Sequence, residues 1–318
     1  MHPAFSVIFL TTLIGVGQGL FLALFTVESY AAFDLLPKQA SRFYALGSLV
    51  ALGFLVAGLI ASFFHLGHPE RAWRSAAKWR TSWLSREVIV LPAFMGAVFL
   101  YGAAHFGGFN PVLATLPSGA PVNVTAILGV AGTVLAFALF VCTGMIYACL
   151  RFLQEWHTPL TVINYILLGG ASGFVLTTAL AAFAAPGVAG FLGGWAIILT
   201  TLAFIGRAAA LLRNARLRPK STLRTAIGVK HPRIVQKAQG AMGGSFNTRE
   251  FFHGRTAGFL RQVKWVFLLM AFILPVGLLA GGFAAAAFVA QYLGLLAERW
   301  FFFAQANHPQ NLYYQAVS

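Results

Sequence analysis

The sequence predicts an all-α membrane protein, a polytopic helix bundle with eight transmembrane helices. Three observations lead there. The 318 residues are 59% hydrophobic and only 9% charged, where a soluble domain carries about 25% charge, and the mean hydropathy is +0.78. Apolar runs of about 20 residues recur, long enough to cross a bilayer as helices, without the two-residue alternation of a membrane β-barrel. The basic residues gather in two loops between these runs.

The spans are expected at 5–27, 43–65, 88–107, 124–150, 160–184, 191–212, 264–282 and 284–304, within a single membrane domain over residues 1–318. The first run follows no Lys or Arg and is too long for a signal-peptide core, so it reads as an uncleaved helix. Thr158-Pro159 supplies a cap and a first-turn proline for the fifth span. Pro275 should kink the seventh, which only Gly281-Gly282 separates from the eighth. Gly15/Gly19, Gly169/Gly173 and Gly277/Gly281 have the four-residue spacing that lets membrane helices approach closely. His68-Pro69 and His231-Pro232 follow the second and sixth spans, an echo that fits two four-helix halves. Cys142 and Cys149 fall about 10.5 Å apart along one helix, too far for a disulfide.

Eight spans place both termini and both basic loops on one side. Of 22 Lys and Arg, only Lys38 and Arg42 fall on the other. The positive-inside rule makes the basic side cytoplasmic, so the chain is expected in the inner (cytoplasmic) membrane with both termini inside. That rule accounts for the net charge of +15 without a nucleic-acid partner. The basic loop over 213–263 is longer than a connection requires. Its simplest role is topology and attraction to anionic lipid. Its aromatic and basic residues, Arg249, Phe251, Phe252, His253 and Arg255 among them, also suit a docking face for an acidic soluble partner.

The chemistry-bearing segment runs from His65-Leu66-Gly67-His68-Pro69-Glu70-Arg71-Ala72-Trp73 to Trp83-Leu84-Ser85-Arg86-Glu87. It puts ionisable groups at a membrane surface, where they need a reason. Quinone reduction moves two electrons and two protons, and a histidine beside a carboxylate can hydrogen-bond the ring oxygens and pass the protons. His65 and Glu87 are the candidates for that work. The quinone-contacting set expected here is Gln18, His65, His68, Arg71, Trp83, Arg86, Glu87 and Asn164. Each has a plainer reading. His65 and Trp83 can be interfacial anchors, Glu87 can pair with Arg86 or Arg71, and Gln18 and Asn164 can join helix to helix. Only His65 and His105 lie at span ends, on opposite faces, so no haem is expected. No Cys/His cluster has metal-ligand spacing, so no metal is expected either. With no carboxylate near a span centre, ion pumping is not expected.

These blocks, with Gly17-Gln18-Gly19-Leu20 and Glu298-Arg299-Trp300, resemble the dimethyl-sulfoxide-reductase-type membrane anchor subunits over nearly the whole chain. The resemblance implies a complex with a molybdopterin catalytic subunit and an iron–sulfur electron-transfer subunit. The anchor would bind quinone (ubiquinone or menaquinone) through His65 and Glu87, and hold no haem. The insert from Phe246 to His253 resembles the sulfite-oxidising branch, in which electrons run toward quinone. Three other readings remain: a terminal-reductase anchor oxidising menaquinol, a polysulfide-reductase-type anchor, and a transporter without soluble partners.

Overall fold

The structure, a computed structural model, describes residues 1–117, 119, 121–218, 222–235 and 252–308. Six long helices come first: α1 (Phe5–Ala32), α2 (Ser41–Phe63), α3 (Trp83–Gly107), α4 (Val124–Ala148), α5 (Pro159–Ala184) and α6 (Pro186–Ala215). The short α7 (Leu223–Ile227) follows. Then come α8 (Ala257–Leu268), a π-helical turn at Leu269–Ile273, α9 (Leu274–Ala280) and the final α10 (Ala284–Ala304). A 3₁₀ segment, Pro69–Lys78, joins α2 to α3.

Among the described residues, seven spans are long and apolar enough to cross a membrane, with 257–280 counted as one. The expected eighth is α10, a helix of 21 residues. Its buried Gln291, Glu298 and Arg299 make it less apolar than the others. The all-α expectation needs one addition, because a small antiparallel hairpin, β1 (Val112–Thr115) and β2 (Pro121–Asn123), links α3 to α4.

The caps explain several boundaries. The Ser82 side chain accepts from the Ser85 amide and starts α3, Asn123 does the same for α4 through Ala126, and Thr158 caps α5 ahead of Pro159. Gly108, at φ 67°, ends α3 in the left-handed conformation. Four spans run clearly further than expected, the seventh by starting at Ala257. Glu28 lies inside α1, Glu87 lies one turn inside α3, and the end of α6 extends past Leu212. In contrast, α2 stops at Phe63, which leaves His65 in the turn beyond it.

α1 and α5 are the innermost helices, and they meet backbone to backbone. A Cβ on Gly19 would lie 2.1 Å from the Gly169 carbonyl oxygen, and one on Gly173 would lie 2.0 Å from the Gly19 carbonyl carbon. The two glycine pairs expected to permit close packing therefore pack against each other. The third pair does not: a Cβ at Gly277 would meet nothing within 4 Å.

Pro275 disturbs its helix as expected, by means of the π turn just before it. A proline at 275 cannot donate to the carbonyl of Ala271. Gln291 of α10 fills that gap, its Nε2 donating to Ala271 O at 3.3 Å. α10 comes close enough because Gly294 has no side chain, and a Cβ there would fall 2.3 Å from the Ala271 nitrogen.

Gly173→Leu should sharply reduce the amount of protein recovered folded from detergent-solubilised membranes, whereas Gly277→Ala should leave it unchanged. Yield and monodispersity on size-exclusion chromatography measure both.

Candidate functional site

Alternating helix directions bring the start of α1, the end of α2, the start of α3, the end of α4, the start of α5 and the ends of α6 and α10 to one end of the bundle. A hydrogen bond from Arg213 Nη1 to Gln154 O closes part of that end. Inside it lies a cavity of about 20 Å³, whose polar wall includes Gln18, Glu87, Thr143, Tyr165, Ser172 and Arg299. It reaches from Glu87, one turn inside α3, to Gln18, thirteen residues or about 20 Å along α1. Such a volume holds a water molecule or two and excludes an aromatic ring.

Glu87 is buried and accepts a hydrogen bond from the Thr143 hydroxyl. It pairs with neither Arg86 nor Arg71. Gln18 donates from Nε2 to Ala136 O at 2.8 Å, tying α1 to α4 while lining the cavity. Arg299 places its guanidinium 4.0 Å from the Tyr165 ring centroid and 5.3 Å from that of Phe302, a cation–π arrangement suited to a buried cation.

Behind Arg299 sits an ion cluster that the sequence does not mark as a site. Arg207 Nε lies 2.7 Å from Glu298 Oε1, and Arg299 Nε lies 3.6 Å from Glu298 Oε2, with all three side chains buried. Two arginines against one glutamate leave an excess positive charge. Glu87 is the further carboxylate lining the cavity with Arg299. The signal is present in the sequence as three charged residues inside apolar spans; only the fold shows that they meet.

Most of the expected quinone-contacting residues are occupied elsewhere. His68 Nδ1 and Arg71 Nε both approach the same oxygen of Glu70, at 3.1 and 3.5 Å, on the exposed 3₁₀ segment. Arg86 donates to the carbonyls of Trp79 and Arg80 at 2.9 and 2.8 Å, and lies 4.2 Å over the half-buried Trp83 ring. It fastens the turn that follows the 3₁₀ segment to α3. Asn164 is buried and donates to Gly206 O at 3.3 Å, the helix-to-helix role. His65 is exposed in the turn after α2, and no hydrogen bond joins its side chain to Glu87. Partial covering by the protein lowers its pKa, which favours the neutral imidazole, able both to donate and to accept.

The expected docking face is only partly within the described residues. Arg249 and Phe251 lie outside them. Phe252 is buried at 7% exposure, so its ring packs into the protein and is not presented to a partner. Arg255 is exposed, with its guanidinium 5.5 Å from the Phe259 ring, and its amide donates to His253 Nδ1 at 3.1 Å.

A family model for the DMSO reductase anchor subunit (DmsC) matches residues 1–231. The chain belongs to the DMSO reductase anchor subunit family. It is also 58% identical to a sulfite dehydrogenase subunit of Allochromatium vinosum over 325 aligned positions, covering 100% of both chains. As an anchor subunit, the chain is a multi-pass membrane protein that works with catalytic and electron-transfer partners. The transporter reading gives way to that membership.

Glu298→Leu would leave two buried arginines without their carboxylate, a loss of about 3–5 kcal/mol for a broken buried pair. The thermal unfolding temperature in detergent should fall strongly for this variant. The double variant Arg207→Leu/Glu298→Leu restores the original net charge and should recover most of the loss.

Proposed function

We propose that this anchor subunit carries the quinone site of a sulfite-oxidising molybdopterin complex, passing electrons from an iron–sulfur subunit to membrane quinone. Full-length similarity to a sulfite dehydrogenase subunit supports the substrate and the direction. The basic loops support docking of the soluble subunits on the cytoplasmic side, where both termini also lie in this reading. A terminal-reductase anchor would use the same residues with electrons running the other way, and that similarity favours the oxidative direction.

One observation carries the site assignment. Within the expected set, His68, Arg71, Arg86, Asn164 and the amide of Gln18 already have protein partners. His65 is exposed at the same end of the bundle, and among the described residues its side chain has no hydrogen-bond or ion-pair partner. The internal cavity is too small for the ring. The headgroup therefore binds outside it, with His65 as the hydrogen-bonding and proton-passing group and Trp83 as an apolar neighbour of that end.

Reduction of the quinone takes two electrons and two protons. His65, as a neutral imidazole, can take a proton from water at one ring nitrogen while it passes the proton on the other to a ring oxygen. Glu87, with the cavity linking it toward Gln18, Tyr165 and Arg299, is a proton reserve just inside the membrane edge. The chain contributes no haem and no metal to this scheme; the redox centres belong to the partner subunits.

His65→Ala should lower quinone-linked sulfite oxidation by the purified complex by at least tenfold. Dye-linked oxidation, which bypasses the anchor, should stay at the wild-type level. Unchanged quinone-linked turnover would remove His65 from the site. Absence of a molybdopterin subunit and an iron–sulfur subunit from the intact affinity-purified complex would remove the proposal altogether.

A further inference from the structure

The opposite end of the bundle holds a second polar cluster, built from four helices. Glu28 sits near the end of α1, Tyr44 in the first turn of α2, Tyr101 and His105 near the end of α3, and Thr125 at the start of α4. Tyr101 Oη donates to Glu28 Oε2 at 2.6 Å, and the Thr125 hydroxyl donates to Oε1. His105 Nε2 lies 3.5 Å from Oε1, and its ring stacks on Tyr44 at 4.5 Å. His105 is 7% exposed, and among the described residues its Nε2 has no hydrogen bond of good geometry.

The carboxylate is not sealed in. The Glu28 side chain keeps 15% exposure and opens onto a groove of about 630 Å³ between α1, α4 and the β-hairpin. That volume is in the range of small-molecule pockets, about 300–1,000 Å³. Phe25, Phe33, Ile127, Val130 and Val122 give it apolar walls, and among the described residues Glu28 is its only ionisable lining group. Ser29 donates to Phe25 O, and Asn123 Oδ1 accepts from the Ala126 amide as the cap of α4.

This chemistry selects a ligand. A carboxylate offers about four acceptor positions. Tyr101 and Thr125 take two, and His105 stands at a third. The remaining capacity faces an apolar groove and calls for a hydroxyl donor. A wall carrying a carboxylate and no Lys or Arg disfavours the phosphate of a phospholipid. An oxidised quinone carries only acceptor oxygens at its ring and would meet Glu28 acceptor to acceptor.

We propose that the groove at Glu28 is a second site, on the face away from the basic loops, that binds quinol in preference to quinone through an O–H···carboxylate hydrogen bond. No electron is transferred there; the site holds the reduced carrier. This rests on the quinone reading above, because it takes the reduced form of that same carrier.

The test is photolabelling of the whole complex, reconstituted in lipid nanodiscs, with a photoreactive short-chain benzoquinol, followed by peptide mapping. Label is expected on residues 121–131. A short-chain quinol should displace it at least tenfold better than the matching quinone, and Val130→Trp, which fills the groove from its lipid-facing rim, should remove it. Label confined to peptides around His65 would overturn this inference and leave the proposed function standing. Equal displacement by both forms would also overturn it, by showing an unselective lipid-facing surface. Label at neither end, with dye-linked sulfite oxidation intact, would overturn both this inference and the quinone reading.

Discussion

The arrangement depends on one contact, the meeting of α1 and α5 along Gly19, Gly169 and Gly173. With no side chains between them, the two helices touch through their backbones, and dispersion across that surface replaces the hydrophobic drive that lipid does not supply. The same approach builds the functional end. Gly15 and Gly169 form part of the cavity wall, and the bond from Gln18 to the Ala136 carbonyl draws α4 onto the pair. Side chains at these glycines would push apart the helices that carry Gln18, Tyr165 and, through Thr143, the partner of Glu87.

A second constraint follows from the membrane: polar groups inside it must find partners within the protein. The helix broken at Pro275 shows this at the backbone, where Gln291 takes up the carbonyl that the proline cannot serve. The Arg207–Glu298–Arg299 cluster shows it for charge. Neighbouring rings of Tyr165, Phe302, Phe267 and Phe301 lie 4.0 to 5.9 Å from the two guanidinium groups. These aromatic faces offer the excess positive charge an electrostatic partner besides the single carboxylate. The result is an electropositive interior beside the cavity.

Much of this is readable in the sequence. Apolar runs mark the helices, Thr158-Pro159 marks the start of α5, and glycine spacing marks the innermost packing. The two misplaced carboxylates share one cause. Spans expected from hydropathy stop at charges, so Glu28 and Glu87 fall outside helices that in fact run past them. Those helices continue because Tyr101, Thr125 and Thr143 hydrogen-bond the carboxylates, and these partners lie 56 to 97 residues away in sequence. Distance in sequence also hides the meeting of Arg207 with Glu298. The block from His65 to Glu87 is visibly unusual, but its division of labour is not. Arg86 is committed to the carbonyls of Trp79 and Arg80, Arg71 and His68 to Glu70, and His65 is left at the surface.

The central claim is that quinone meets this anchor outside the internal cavity, at His65. An electron cryomicroscopy map of the whole complex, extracted with its native lipid and quinone, tests it most directly. The claim predicts a ring-shaped density within hydrogen-bonding distance of the His65 imidazole, on the side bearing the basic loops and the soluble subunits. A ring lodged among Gln18, Tyr165 and Arg299 inside the bundle, with His65 free, would contradict it.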